Sequence, residues 1–215
     1  MAFLFKQLYK QTITSNVIRK SALKQYTTAL NESKKYLEQC PNYMSLNSDW
    51  TVEHAESAQN LFNDMTVQEN FLSEEEEQNL FAEIEPYLKR LRYEFDHWDD
   101  AIHGYRETER LQWNKENTNI ISRLRELAFP KTVAQLKHVH ILDLAPKGYI
   151  KPHIDATRFC GNTIAGMSLL SDCVMRLVQD KHKHLSADIF LKRRSLYIMK
   201  DTARILKFPG IVDYQ

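Results

Sequence analysis

The sequence has little of the residues that mark disulfide-rich, fibrous or membrane-embedded proteins. It contains 3 cysteines, 5 glycines and 6 prolines among 215 residues. Three cysteines cannot all pair and form no Cys-x-x-Cys motif, so a disulfide framework is not predicted and the thiols are expected to be reduced. The low glycine and proline content excludes collagenous and low-complexity chains. No window of about 18 uninterrupted apolar residues occurs, so no membrane span is predicted.

The chain as a whole also lacks an excess of positive or negative charge. Lys and Arg total 29 against 28 Asp and Glu, which gives a net charge of +1. A protein that binds phosphate backbones would be expected to carry a basic stripe, so no strong nucleic-acid signature is present. A glycine-rich phosphate loop and a Gly-x-Ser-x-Gly motif are both missing. The apolar content of 43% is that of a globular domain with a real core.

The first thirty residues differ from the rest in composition. Residues 1–30 contain five Lys or Arg and no acid, and the first carboxylate is Glu32. Basic, hydroxylated and acid-free segments of this kind are typical of mitochondrial transit peptides. We therefore expect residues 1–30 to be a transit peptide cleaved before about Ser33, and the protein to enter the mitochondrial matrix. An ordinary basic surface helix is the alternative.

The middle of the chain predicts two helices. Residues 31–66 show poor periodicity and are interpreted as a linker with one helix at most. Ser73 and Glu76 have the spacing of a capping box ahead of an amphipathic helix. Pro86 is expected to kink or end this helix. Apolar residues at helical spacing between Trp113 and Phe129 predict a second helix.

The period then changes from 3.6 to 2, which is typical of strands. The segment 92–110 fits either two short strands or a structured loop, and 146–148 reads as a turn. Helices that precede short strands predict an α+β fold, with an antiparallel β body braced by helices on one side. The predicted strands are His138–Leu144, Thr163–Leu170, Val174–Gln179, Asp188–Leu191 and Ser195–Met199.

Pairs of histidine and acid at alternate positions raise the question of a metal site. A strand places residues i and i+2 on one face, so His-x-Asp can offer an imidazole and a carboxylate to one ion. With a second, distant histidine such a pair makes the facial triad of non-haem Fe(II) oxygenases. The bare motif is common, and the sequence contains His54-Ala-Glu56, His97-Trp-Asp99 and His153-Ile-Asp155.

Sequence context separates the three pairs. His54 lies in the predicted linker, and His97 is surrounded by acidic residues. His153 and Asp155 instead follow a predicted strand and precede a hairpin, where a site can be held rigidly. They are the preferred metal ligands, and a structural His–Asp hydrogen bond is the alternative.

Other clusters have simpler interpretations. His138 and His140 also alternate and fit a cupin-like metal site. His182 and His184 lie in a lysine-rich segment and are expected to be solvated. The basic pair at 193–194 could bind a carboxylate, although a basic turn between strands is the commoner case.

Several long strings in the sequence are specific enough to compare with known proteins. They are Arg92–Asp99, Ala101–Glu109, Gly148–Asp155, Phe159–Gly161, Thr163–Gly166, Ser168–Ser171 and Ser195–Ile198. Together they resemble the AlkB family of Fe(II)- and 2-oxoglutarate-dependent dioxygenases, in particular its mitochondrial branch. The resemblance covers roughly Val67 to Arg204 and is specific, because the strings recur in the same order.

The resemblance implies a double-stranded β-helix, or jelly-roll, dioxygenase that uses Fe(II), 2-oxoglutarate and O₂. It assigns His153 and Asp155 to iron and Tyr197 to 2-oxoglutarate. Family members that act on alkylated nucleic acids carry polar residues where this sequence has Leu142 and Leu144. This branch is associated with protein hydroxylation, fatty-acid metabolism and programmed necrosis after alkylation damage, so a protein substrate is expected.

The match stops after Arg204. The position of the family's distal iron histidine holds Pro209, no histidine follows His184, and the arginines that pair with 2-oxoglutarate are absent. We therefore expect residues 67–204 to form an incomplete dioxygenase domain that lacks its last strands, followed by a divergent tail at 205–215. A shortened form with impaired catalysis is predicted. The alternatives are a non-catalytic binding module and, less favoured, a nucleic-acid demethylase.

Overall fold

The computed structural model describes residues 28, 31, 35, 36, 38–95, 101–151, 153, 154, 157–205, 211 and 212. The predicted transit peptide lies outside this range except for residue 28, and so do His97, Asp99, Asp155 and Pro209. In the part of the chain that is described, none of the helices has the length and apolar character that a membrane crossing requires.

The described elements are nine strands, five α-helices and one 3-10 turn at Val52–His54. The helices are α1 (Ala55–Asp64), α2 (Glu74–Leu88), α3 (Lys115–Ala128), α4 (Thr157–Cys160) and α5 (Asp201–Ile205). The strands are β1 (Met44–Leu46), β2 (Met65–Gln68), β3 (Ile102–Arg110), β4 (Val139–Ile150), β5 (Thr163–Met167), β6 (Cys173–Val178), β7 (Ser186–Leu191), β8 (Leu196–Lys200) and β9 (Ile211–Val212).

The strands form three antiparallel sheets. Their orders are β1-β7-β6-β9, β2-β8-β5 and β3-β4. The described strands do not close into a barrel. A mixed fold of helices and antiparallel sheets was predicted from the order of the periodic segments, and it is confirmed at this level.

Strand β8 separates two hydrophobic cores. Leu196 and Ile198 pack into a core shared with the helices α2 and α3. Tyr197 and Met199 pack into the larger core, which contains side chains of the four-stranded sheet. This alternation follows from the period of two in a strand, which sends successive side chains to opposite faces. The helices α2 and α3 therefore cover one face of the three-stranded sheet. The four-stranded sheet packs on its other face, where α1 and α5 also contribute side chains.

Helix α2 begins at the predicted capping box. The Ser73 hydroxyl accepts a hydrogen bond from Glu76 N at 3.1 Å, and the Ser73 N–H donates to Glu76 Oε2 at 2.9 Å. Arg123 on α3 also binds the Glu76 carboxylate, and this hydrogen bond lowers the pKa of Glu76. Pro86 lies inside the helix, which ends two residues later at Leu88, as expected for a residue without an N–H.

Glu83 joins α2 to the start of α3. Its carboxylate accepts hydrogen bonds from Arg110 Nη2 at 2.9 Å and from the backbone N–H of Asn114 at 3.0 Å. It also accepts from Asn117 Nδ2 at 2.6 Å, and Asn117 is fully buried. One side chain thus ties α2, the end of β3 and the N-terminus of α3 together.

Glu77 is a buried carboxylate that joins α2 to the sheets. Its side chain is 1% exposed, and Arg193 Nη2 lies 2.6 Å from Glu77 Oε2. The backbone N–H of Leu170, a residue with a positive φ of 70°, donates to Oε1 at 2.8 Å. Burial raises the pKa of Glu77, but the hydrogen bonds from Arg193 and Leu170 outweigh it, and the net pKa is lowered. Both arginines of the basic pair at 193–194 therefore bind carboxylates of α2, since Arg194 Nη1 lies 3.4 Å from Glu74 Oε1.

The segment 31–66 differs from the predicted linker. Its strand β1 pairs with β7, and Met44, Trp50 and Leu61 are buried in the larger core. A strand of 3 residues is too short to show a period. Its partner strand lies far along the chain, so the local sequence does not reveal the contact.

The long hairpin of β3 and β4 also differs from expectation. Residues 146–148 lie inside β4 rather than in a turn, and 102–110 form one strand, with a separate bridge between Glu94 and Tyr105. The pairing shifts register between His103 and Tyr105. Gly148 allows this irregularity, because a Cβ there would collide with the carbonyl oxygen of Gly104.

We predict that Glu77→Gln destabilises the protein by about 1–3 kcal/mol, because the buried charged acceptor shared by Arg193 and the N–H of Leu170 is lost. The free energy of unfolding from urea titration at pH 7 measures this effect. The variant Glu75→Gln is the matched control, because Glu75 is an exposed residue in the same helix turn.

The same pair predicts a pH dependence. The folded-state pKa of Glu77 is below its ordinary value of 4.5, so its stabilising effect is complete above that pH and is lost as the pH falls through the folded pKa. The stability difference between wild type and Glu77→Gln should therefore shrink below about pH 4.5. A difference that stays constant from pH 7 to pH 3 would contradict the ion-pair account.

Candidate functional site

His153 lies just beyond the end of β4. The strand ends at Ile150, and the N–H of Lys151 donates to Ala101 O at 2.6 Å, which extends the pairing by one residue. His153 itself is half-buried and forms an isolated β-bridge. The imidazole is thus carried on extended backbone, as predicted. Asp155 lies outside the described residues, so its pairing with His153 stays a prediction.

The hydrogen bond of His153 fixes its neutral tautomer. Nδ1 lies 2.9 Å from the backbone carbonyl of Lys151. A carbonyl only accepts, so Nδ1 carries the proton and Nε2 carries the lone pair. Metal-binding histidines commonly donate their other ring N–H to a backbone carbonyl in this way. The side chain therefore fits the role of an iron ligand through Nε2.

Tyr197 occupies the central strand of the three-stranded sheet. It pairs with Val67 on β2 and with Gly166 on β5, and its side chain packs against the larger core. The ring lies directly over Gly166, where a Cβ would come within 2.6 Å of the phenol oxygen. Only glycine leaves space for the ring here. Gly166 is therefore a positioning residue that the sequence analysis did not assign.

The position of Gly166 in a strand was the signal for this role. An isolated glycine within an apolar strand often marks a close approach by another group. The glycine belongs to the string Thr163–Gly166, but its cross-strand partner follows only from the register of β5 with β8.

Among the described residues, the other histidine pairs do not have the arrangement of a facial site, and His97 and Asp99 lie outside those residues. His54 ends the 3-10 turn and Glu56 lies in α1, so the two are not presented on one strand face. His140 Nε2 lies 2.9 Å from the carboxylate of Glu107 in an exposed pair. Within the described ranges, no three His, Cys, Asp or Glu side chains are placed to hold a metal ion.

A cluster on β3 and β4 accounts for part of the string Arg92–Asp99. Arg106 Nε binds Asp143 Oδ2 at 2.6 Å, and its guanidinium lies 4.7 Å from the centre of the Tyr93 ring. The Tyr93 hydroxyl donates to the same carboxylate at 2.9 Å. Burial and this acceptor raise the pKa of Tyr93. The arginine therefore has a structural partner and holds the hairpin against α2, where it also binds Leu88 O.

Relatives of the chain are known. No protein-family profile matches it. It is 49% identical over 144 residues to the alpha-ketoglutarate-dependent dioxygenase alkB homolog 7, mitochondrial, of Mus musculus. It is 50% identical over 138 residues to the protein of the same name from Bos taurus. The chain belongs to the AlkB family. Family membership confirms the resemblance that the sequence strings carried.

The extent of these matches is partial on both sides. They cover 67% and 64% of this chain, and 65% and 62% of the two relatives. The chain thus spans a little under two thirds of the length of the curated relatives it matches. An uncharacterized protein, L905, of Acanthamoeba polyphaga mimivirus is 39% identical over 62 residues, which is 29% of this chain and 30% of that protein.

The names of these relatives also bear on location. Both mammalian proteins are named as mitochondrial. The mitochondrial location predicted from the composition of residues 1–30 is therefore confirmed. The transit peptide itself and the matrix compartment stay predictions.

We predict that Gly166→Ala destabilises the protein by about 1–3 kcal/mol, because the added methyl group overlaps the Tyr197 ring. Urea unfolding of the single variant measures the cost. In a Tyr197→Ala background the same substitution should be nearly neutral, because the overlap is gone. An equal loss of stability in both backgrounds would contradict the proposed contact between Gly166 and the Tyr197 ring.

Proposed function

We propose that this protein is a mitochondrial-matrix dioxygenase that depends on Fe(II) and 2-oxoglutarate. The observation that supports the proposal best is the identity of about half of the aligned residues with two relatives that carry this activity in their names. The layered antiparallel sheets are compatible with a jelly-roll, and we infer that fold for the domain at 67–204.

His153 and Asp155 would hold the iron. The tautomer of His153 fits this role, because the Nδ1 proton is directed to Lys151 O and Nε2 carries the lone pair. When bound, Fe(II) with 2-oxoglutarate and O₂ supplies the oxidation of a C–H bond to an alcohol. The protein contributes the ligand geometry and a site that excludes water.

Tyr197 would bind 2-oxoglutarate. Its ring is held between β2 and β5 and over Gly166, so the phenol has one orientation. A phenol O–H can donate to a carboxylate of the cosubstrate, and hydrogen bonds to charged groups are the stronger class. Gly166 would position this donor through its contact with the ring.

The chain differs from the family at the position of the distal iron ligand. Pro209 stands where the family has its distal histidine, and a proline side chain has no atom that binds a metal. We therefore propose that this position does not help to hold the iron and that turnover is impaired. The alternative function is that of a binding module without catalysis.

A protein substrate is favoured over nucleic acid. Many of the described arginines that could contact phosphate already bind carboxylates within the fold. Leu142 and Leu144 on β4 are half-buried apolar residues, in positions where nucleic-acid demethylases of the family carry polar ones. These features support hydroxylation of a protein over demethylation of a base.

We predict Fe(II)-dependent release of succinate from 2-oxoglutarate by the purified chain, and its loss in both His153→Ala and Asp155→Ala. Succinate formation over time is the measurement. Glu56→Ala is the matched control, because it changes the acid of another His-x-acid pair and should leave the rate unchanged. Wild-type chain that yields no succinate would support the binding-module alternative. Equal rates with Asp155→Ala would overturn the ligand assignment.

We also predict that Tyr197→Phe raises the KM for 2-oxoglutarate by about tenfold or more, because one hydrogen bond to a charged group is lost. The fold should persist, since the ring over Gly166 is retained. Steady-state kinetics with varied 2-oxoglutarate measure the change, and Tyr149→Phe on the exposed hairpin is the control. An unchanged KM would remove Tyr197 from the cosubstrate site.

A further inference from the structure

Three histidines from distant parts of the sequence meet at one place on the surface. His54 comes from the 3-10 turn before α1, and His182 and His184 come from the connection between β6 and β7. Their ring centroids are 6.1 Å (His54–His182), 6.3 Å (His54–His184) and 5.9 Å (His182–His184) apart. The rings thus form a nearly equilateral triangle, which we call the histidine triangle.

We propose that the histidine triangle is a binding site for one divalent transition-metal ion, such as Zn²⁺, Ni²⁺ or Cu²⁺. An ion at the centre of the triangle would lie about 3.5 Å from each ring centroid. An imidazole that binds zinc through a nitrogen at about 2.0–2.1 Å has its centroid about 3.2 Å from the metal. The rings therefore need to move inward by only a few tenths of an ångström and to turn their nitrogens toward the centre.

The rings have freedom for that rotation. His182 and His184 are exposed and His54 is half-buried, and the planes are steeply inclined to one another, by 60°, 69° and 80°. In their present orientations the ligand atoms do not converge on one ion. A set of imidazoles without carboxylates suits Zn²⁺, Cu²⁺ and Ni²⁺ rather than Mg²⁺ or Ca²⁺.

The backbone that carries the triangle is already fixed. Asn47 Nδ2 donates to His184 O at 2.7 Å, and Asn47 Oδ1 accepts from Ser186 N at 3.0 Å. Trp50 Nε1 donates to Ser186 O at 2.9 Å, and the fully buried Leu185 donates its N–H to His182 O at 2.8 Å. Because these hydrogen bonds already hold the backbone, metal binding needs to order only the histidine side chains.

Thr51 would orient His54 for the metal. In the present structure His54 Nδ1 is 3.1 Å from both the N–H and the hydroxyl of Thr51. The N–H only donates, so Nδ1 now accepts and Nε2 carries the proton. Metal binding through Nε2 requires the other tautomer, in which Nδ1–H donates to the Thr51 hydroxyl and the hydrogen bond from the Thr51 N–H is given up. The hydroxyl of Thr51 is therefore the group that would position His54 once the ion is bound.

Lysines limit the affinity. Lys181 and Lys183 flank the two loop histidines, and Glu53 lies next to His54 in the sequence. The positive charges of the two lysines repel a metal cation, so we expect the site to bind metal more weakly than a closed structural zinc site.

The test is a titration of the full chain with NiCl₂, followed by calorimetry and by tryptophan fluorescence. The centroids of Trp50 and His54 are 6.2 Å apart, so a paramagnetic ion in the triangle should quench Trp50. In the variant His153→Ala/Asp155→Ala, which lacks the proposed iron ligands, we expect one ion per chain, tighter binding of Cu²⁺ than of Ni²⁺, a metal-dependent rise in Tm, and no competition by Mg²⁺. Trp50→Phe should remove the quenching while the calorimetric binding remains.

Substitutions locate the ion. His182→Gln and His184→Gln should each weaken Ni²⁺ binding by about tenfold or more, and Thr51→Val should weaken it while the protein stays folded. His138→Gln is the matched control, since it removes an exposed histidine elsewhere, and its affinity should equal that of wild type. Quenching of Trp50 by Ni²⁺ that persists in the double variant His182→Gln/His184→Gln, or that is lost in His153→Ala, would overturn the proposal.

Discussion

The register of β8 is the constraint on which the rest of the structure depends. Leu196 and Ile198 fill the core under the helices, while Tyr197 and Met199 fill the core shared with the four-stranded sheet. A slip by one residue would exchange every side chain between the two cores. The Tyr197 ring fits over Gly166 only when β5 and β8 pair in this register. Tyr197, the residue assigned to the cosubstrate, therefore also helps to fix the strand pairing.

Local sequence signals predicted the part of the fold that local interactions determine. The capping box at Ser73 and the helix before Phe129 are confirmed, and so are the strands after residue 138, apart from their ends. The segment 31–66 was misjudged because β1 is stabilised by its partner β7 and by burial of Met44, neither of which leaves a local period. Residues 146–148 were predicted as a turn but continue β4. The strand continues because its pairing with β3 shifts register near Gly104, and this shift cannot be predicted from local sequence.

The candidate site was likewise predictable from the sequence only in part. The extended backbone at His153 and the strand position of Tyr197 follow from alternation and family strings. The role of Gly166 requires the register, which a single sequence does not give. The histidine triangle was missed for a stronger reason, since contacts such as that between Asn47 and His184 join residues 137 positions apart. A lysine-rich loop looks solvated until the segment it meets is known.

The carboxylate of Glu83 has a consequence for how the protein opens. It binds Arg110, the N–H of Asn114 and the buried amide of Asn117 at the same time. Separation of α3 from α2 would deprive the N–H of Asn114 and the amide of Asn117 of their acceptor at once, so partial separation has no favourable intermediate. We therefore expect the two helices to open as one cooperative unit, with amide protection in both rising and falling together.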